Sequence, residues 1–409
     1  MSGREISQKK TTNSTLLKLS ILCVAALNNV MGSATSVLGS IASVFPDASY
    51  QVVAMISTIP PLLMSVVPFF YTPLITHVKK RTVLWIASVL LLVGGLGPAV
   101  LHDNIYVILG FRIILGFAVG LTTVLSIDLI MDFFDGKEQN TLTGFRDTFN
   151  SIGGAIFMLL GGWLAGFQWY FCFLAVIVGI VFIAIPLAAL PEPDRNAKIE
   201  LEKEKLGADK VDVKIPAGVW VFSIFTLLHW AFFYVFITNV SLIVVSEAIA
   251  SPAQCGIIYA FTNVGTIIFG LIFGKVFEKV KFVTFLIGML CCALALFLAA
   301  TSTTVPMFCL ASALLGAGTG FFMPTVYAKN STLIPYRNAS KAVSIVSFMI
   351  GVGGFISPFV FGSFGLAGRE QCILAAVLYV ICGVAALVLA LTIKPKANYD
   401  LSNYDEKAE

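Results

Sequence analysis

Apolar residues dominate the chain in twelve successive runs, separated by short polar breaks. Each run reaches about 20 residues, the length of helix that crosses a hydrocarbon core about 30 Å thick. The pattern predicts spans over 16–44, 51–76, 82–101, 105–134, 146–166, 169–190, 216–246, 254–277, 282–301, 306–330, 342–364 and 370–393. Breaks such as His102 to Asn104 and Gly166 to Gln168 leave no room for a folded domain. One break differs. Residues 191–215 carry thirteen charges of mixed sign behind the helix-stopping Pro191 and Pro193. They predict a solvated linker, with a short interfacial helix near Ile199 to Leu206. The fold class expected is an all-α membrane protein of twelve transmembrane helices in two pseudo-symmetric six-helix bundles. Its parts are a first bundle over 1–190, the linker over 191–215, a second bundle over 216–394 and a tail over 395–409.

The two halves repeat at a fixed offset of 200 residues. Gly116 falls on Gly316, Gly120 on Gly320, Gly153-Gly154 on Gly353-Gly354 and Gly162 on Gly362. Lys79 and Arg81 fall on Lys279 and Lys281. Parallel repeats of this kind place a substrate site between the halves, near mid-membrane.

Charge fixes the expected orientation. When the breaks are assigned alternately to two sides, 24 of the 26 Lys and Arg residues share one side. Arg369 lies on the other, and Arg112 lies within a span. The positive-inside rule makes the basic side cytoplasmic, together with both termini. The expected location is the cell membrane, with multiple passes. The apolar run from Leu16 is too long for a signal peptide and reads as an uncleaved first span.

Composition removes several function classes. The chain is 58% hydrophobic and 12% charged, about half the charge of an ordinary soluble domain. Its net charge of +4 is divided among short loops, so nucleic acid is not an expected partner. The eight cysteines form no C-x-x-C pair and have no His at ligand spacing. No metal and no cofactor are expected. Neither a G-x-S-x-G nor an H-E-x-x-H motif occurs, which disfavours an enzyme. No phosphate-binding loop occurs, so ATP is not expected to drive the protein directly.

The candidate site residues are polar groups within spans. Arg112 is a charge inside span 4, and such charges face the bundle interior. It attracts an anionic substrate or tunes a neighbouring proton carrier, or else bonds carbonyls or polar groups of span 1 structurally. Asn29, Ser33, Ser36, Ser40 and Ser43 step by four and three along span 1, one face of an α-helix. They line a chamber or pack against other helices. At 100° per residue, Thr123 and Ser126 share the face of Arg112. Asp128 and Asp132 lie on the opposite face, near the cytoplasmic end. With Lys80 or Arg81 they could form an ion-pair gate on that side, a proton relay or a plain solvated interface. His229 lies near mid-depth in span 7, beside Trp230, Tyr234 and Asn239. An imidazole titrates near physiological pH, so His229 is either a proton-coupling group or a neutral hydrogen-bonded bundle residue.

These features, with several motifs, resemble the major facilitator superfamily over essentially the whole chain. The family's loop between helices 2 and 3 reads like G-x-L-A-D-R-x-G-R-R. Here Thr72 to Arg81 keeps the basic end, but Thr76 stands in place of the acid. The second-half loop keeps Gly274 and Glu278. The helix 4 pattern R-x-x-x-G appears as Arg112 to Gly116. The drug-antiporter motif of helix 5 is altered: Phe157-Met158 replaces Gly-Pro. The resemblance implies that span 1 borders a central cavity. It also implies a carboxylate proton carrier that this chain lacks in span 1.

The expected function is a secondary active transporter of a small organic solute by alternating access, as a monomer in the bilayer. Arg112 favours an anionic or zwitterionic solute, and protons are candidate coupling partners. The alternatives are multidrug efflux and, remotely, a membrane-embedded enzyme.

Overall fold

Helices cross the molecule in alternating directions. The computed structural model describes residues 14–134, 136–192, 215–334 and 339–393. The predicted interfacial helix and the tail over 395–409 lie outside the described residues. The first six helices are α1 (Ser14–Ala26, Leu27–Val37 and Leu38–Val44 in succession), α2 (Tyr50–His77), α3 (Lys80–Val100), α4 (Ile105–Phe133), α5 (Gly136–Ala165) and α6 (Trp169–Ala175 followed by Val176–Ala189). The second six are α7 (Ala217–Ser246), α8 (Pro252–Val280), α9 (Lys281–Val283 followed by Thr284–Thr301), α10 (Val305–Leu333), α11 (Ala339–Ser363) and α12 (Arg369–Thr392).

The stretch Pro252–Thr301 is apolar over 50 residues. One straight helix of that length would extend about 75 Å, more than twice the hydrocarbon thickness. The chain instead turns at Lys281, where φ is 49°, and crosses twice as α8 and α9. The described residues thus make twelve crossings of a membrane protein.

The repeat seen in the glycines is a repeat of packing. A Cβ on Gly153 would lie 2.2 Å from the Ala26 carbonyl of α1. A Cβ on Gly353 would lie 2.3 Å from the Leu227 carbonyl of α7. Only glycine permits such backbone approach. Gly116 of α4 likewise faces α2 at Pro60 and Leu63, and Gly316 of α10 faces α8 at Thr262 and Thr266. The two sets of six helices meet along two seams, α5 against α8 and α2 against α11.

At the ends away from the basic loops, hereafter the far side, the two sets are joined directly. Ser241 Oγ of α7 donates to the Ser36 carbonyl of α1 and accepts from the Gly39 amide. The Tyr50 hydroxyl of α2 lies 2.8 Å from Thr238 Oγ1 of α7. Gly162 of α5 meets Gly256 of α8 so closely that a Cβ on Gly162 would stand 2.9 Å from the Gly256 Cα. The far side of this structure is closed.

Helix α1 departs from the periodicity assumed above. Residues Leu27–Val37 form a 3-10 helix, through a sequence of Asn, Gly, Ser and Thr with poor α-helical preference. A 3-10 helix turns about 120° per residue, so residues three apart eclipse and residues four apart do not. Ser33 and Ser36 therefore stay aligned, while Asn29 is rotated away from them. The single five-residue stripe expected from a 100° step is split in two.

Candidate functional site

Arg112 is 1% exposed, deep within α4. Its Nε donates to the Ile56 carbonyl of α2 at 2.7 Å, and its Nη2 to the Met31 carbonyl of α1 at 2.6 Å. The local sequence supplies both acceptors. Ile56 would bond the amide of residue 60, but Pro60 has no N–H. Met31 lies in the 3-10 segment of α1. Arg112 thus joins three helices through backbone oxygens.

Ser33 and Ser36 are buried. The Ser33 carbonyl sits where a Cβ on Gly161 of α5 would be, 2.2 Å away, so this face of α1 is a packing surface. Asn29 is half-buried and donates to Asn150 of α5. Thr123 and Ser126 meet a different cation from the one expected. Arg146, counted among the loop cations, lies well inside α5 because that helix begins ten residues before the predicted span. It is buried and donates from Nε to Ser126 Oγ at 2.9 Å. Its Nη2 reaches the Thr123 carbonyl at 3.5 Å, and its Nη1 the carboxylate of Asp147 at 2.8 Å. Hydropathy missed Arg146 because the polar first turns of α5 lowered the local average.

His229 is fully buried between α7, α10 and α12. Its ring stacks on Phe322 at 4.3 Å between centroids. Nδ1 faces the Tyr379 hydroxyl at 3.3 Å and Nε2 faces Thr319 Oγ1 at 3.4 Å. Arg112 and His229 have no partner in common, so the structure does not bring them together. Trp230, the next residue, is half-buried, and its indole N–H has no partner among the described residues. Tyr234 lies against Gly354 of α11. Asn239 belongs to the far-side closure: its Nδ2 donates to Tyr50 and to Gln371 Oε1 of α12.

On the basic side, Lys80 at the start of α3 contacts Asp128 and Asp132 of α4. Tyr71 of α2 donates to Asp128 at 2.9 Å. Arg81 does something else. Its side chain donates to the Leu187 carbonyl near the end of α6, while the amides of Lys80 and Arg81 donate to the Glu192 carboxylate. Carboxylates at helix starts and cations at helix ends complement the helix dipole. Lys329, also counted as a loop cation, is buried near the end of α10. It donates to the Ala390 and Ile393 carbonyls, closing the end of α12, and lies 4.6 Å from the centre of the Phe282 ring.

Twelve helices in two like sets, joined face to face around half-buried polar groups at mid-depth, are the architecture of a solute carrier rather than an enzyme. The chain belongs to the Major Facilitator Superfamily, whose family model matches residues 19–246 and 222–406. It is a secondary transporter. Protein TsgA from Salmonella typhimurium (strain LT2) is 24% identical over 290 residues, covering 69% of this chain and 68% of that protein. The fold is similar to that of a D-xylose-proton symporter, with a TM-score of 0.69 and 18% identity over 94% of this chain and 98% of the other. It is also similar to a bacterial homologue of the human lysosomal transporter Spinster in an inward-facing, unoccupied conformation. There the TM-score is 0.72 and the identity 16%, over 94% of this chain and 98% of the other.

Proposed function

We propose that this transporter moves a small polar organic solute across the membrane by alternating access. The basic side is cytoplasmic, and the bundles over 1–190 and 216–394 rock about a site between them. The observation that carries the reading is the closed far side. There, Ser36 and Gly39 meet Ser241, and Tyr50 meets Thr238 and Asn239. Nearer mid-depth the half-buried groups Asn29, Asn150, Trp230 and Asn263 come from both halves. Such a join can break and re-form without loss of either bundle's own packing.

Arg112 and His229 act here as structural residues. Two N–H groups of the Arg112 guanidinium are held by carbonyls of α1 and α2, which favours a clamp between helices over an anion site. His229 sits within the second bundle, with hydroxyls at both ring nitrogens. The mid-depth amides favour a polar solute over the amphipathic compounds of multidrug efflux. Similarity to a D-xylose-proton symporter makes proton coupling the first coupling mode to test.

The test is solute uptake by the purified chain in liposomes, with and without an imposed pH gradient. Saturable, protein-dependent uptake is expected. Failure of every solute tested to enter, under either condition, would sink the reading.

A further inference from the structure

Two asparagines from two helices meet at one glycine, and a third is bonded to one of them. Asn29 comes from α1, Asn150 from α5 and Asn263 from α8, so both halves contribute. Asn29 Nδ2 donates to the Asn150 backbone carbonyl at 3.2 Å and to its Oδ1 at 3.1 Å. A Cβ on Gly154 would stand 2.9 Å from Asn263 Oδ1 and 3.1 Å from Asn29 Nδ2. Gly154 thus lies directly against the Asn29 and Asn263 amides. Asn29 and Asn150 lie about halfway along their helices, and all three residues are half-buried.

The amides are not used up by one another. Among the described residues, Asn29 Oδ1, Asn150 Nδ2 and Asn263 Oδ1 have no protein hydrogen bond, and Asn263 Nδ2 reaches only the Met158 sulfur at 3.5 Å. Amide groups held at mid-depth without partners cost free energy unless water or a ligand satisfies them. The open groups are two acceptors and one donor. A hydroxyl both donates and accepts, so a polyhydroxy compound can satisfy all three. An anion would meet two acceptor oxygens. The nearest cation along α5, Arg146, is already bonded to Ser126 and Asp147.

We propose that Asn29, Asn150 and Asn263 form a solute subsite for a small uncharged molecule with at least two hydroxyl groups. The inference rests on the transport reading above and names the substrate class of that site. A ligand held by Asn29 and Asn150 from one bundle and Asn263 from the other would bind the joined arrangement more tightly than a separated one. A solute needs that differential affinity to bias the conformational equilibrium.

The experiment uses the purified full-length chain. Thermal stabilisation and liposome uptake are measured with D-xylose, myo-inositol and uridine as uncharged probes, gluconate and lactate as anions, and choline as a cation. At least one uncharged probe should bind and enter. Asn150→Ala and Asn263→Ala should each weaken that probe by about ten-fold, the loss of one hydrogen bond, and Asn263→Ala should do so without lowering the ligand-free melting temperature. Gly154→Ala should weaken the probe too, by placing a Cβ against the Asn29 and Asn263 amides while keeping every polar atom. The proposal is overturned if an anion or choline stabilises the chain more than any uncharged probe. It is also overturned if no uncharged probe binds, or if binding survives all three substitutions. Uptake that persists unchanged in the three variants removes the subsite and leaves the transport reading standing. No uptake of any solute by the unsubstituted chain removes both.

Discussion

Arg112 donates its Nε hydrogen to the carbonyl of Ile56, the oxygen that Pro60 leaves without a helical partner. A proline inside a helix frees one carbonyl, and a carbonyl freed in the apolar interior must be satisfied by something else. The neighbouring helix supplies a cation for it. The cation's own burial is made tolerable by a second carbonyl, from Met31 in the 3-10 segment of α1.

This pairing predicts a specific coupling. Arg112→Ala should lower the melting temperature strongly, since a hydrogen bond to a charged group is worth about 1.5–3 kcal/mol and two are lost. Pro60→Ala gives Ile56 an amide partner from its own helix. In that background Arg112→Ala should cost less. A double-mutant cycle of thermal stabilities measures the difference. Additive effects would mean that the two residues are unrelated.

The Tyr259 hydroxyl of α8 donates to the Ile237 carbonyl of α7 and accepts from the Ser241 amide, both at 2.9 Å. It ties α8 to the α7 backbone beside the Ser241 side chain that bonds Ser36 and Gly39. Tyr259→Phe removes both bonds to α7 and should loosen the far-side closure. Spin labels placed on the far-side ends of α1 and α7 should then report a broader, longer distance distribution. An unchanged distribution would remove the hydroxyl from any role in closure.

Lys80 faces two carboxylates, and Asp132 is only 2% exposed. Lys80→Met removes a cation shared by the half-buried Asp128 and the more buried Asp132, and breaking a buried pair costs about 3–5 kcal/mol. Asp132→Asn keeps the volume and one carboxylate, and should cost less. Lys80→Met combined with Asp128→Asn and Asp132→Asn should recover much of the loss. Melting temperatures in detergent check the order: Lys80→Met lowest, the triple variant above it.

On the far side, Arg369 binds Glu247 through two bonds of 2.6 and 2.7 Å and also donates to the Ala300 and Ser302 carbonyls. The bonded guanidinium holds the Glu247 carboxyl below its ordinary value of 4.5. A carboxyl lowered in the folded state adds stability above its ordinary value and loses it as pH falls through the lowered one. The pair is solvent-facing, so the contribution is small and weakened by salt. Glu247→Gln should therefore lower the melting temperature near neutral pH. The gap to the unsubstituted chain should close in strong acid. A gap that is constant with pH would exclude the ion pair as its cause.

His229→Gln keeps hydrogen-bonding capacity on both sides of the side chain. If His229 is structural, uptake and its dependence on a pH gradient should survive the change. Gradient-driven accumulation lost with saturable exchange retained would instead make the imidazole the coupling group.

Much of the architecture was legible in the residues themselves. Hydrophobic length set the number of crossings, because the bilayer imposes one thickness on every helix. The glycine register at an offset of 200 residues exposed the repeat, because backbones that touch exclude side chains. The depth of Arg112 and His229 could be read as well. Their partners could not, since a hydrogen bond to a carbonyl depends on which helix lies alongside. The stripe on α1 misled because its periodicity was taken as α-helical, and a 3-10 turn moves Asn29 off the serine face.

The sequence alone determined that the chain crosses the membrane many times, that it is built twice over, and that Arg112 and His229 lie at depth. These follow from local composition and spacing, which need no knowledge of neighbours. Tertiary packing alone decided what each polar group faces. Arg112 became a clamp on α1 and α2, Arg146 joined Thr123 and Ser126, and Asn150 and Asn263 came together with Asn29 from positions far apart in the chain. Hydrogen bonds are short and directional, so only the final placement of the helices selects their partners.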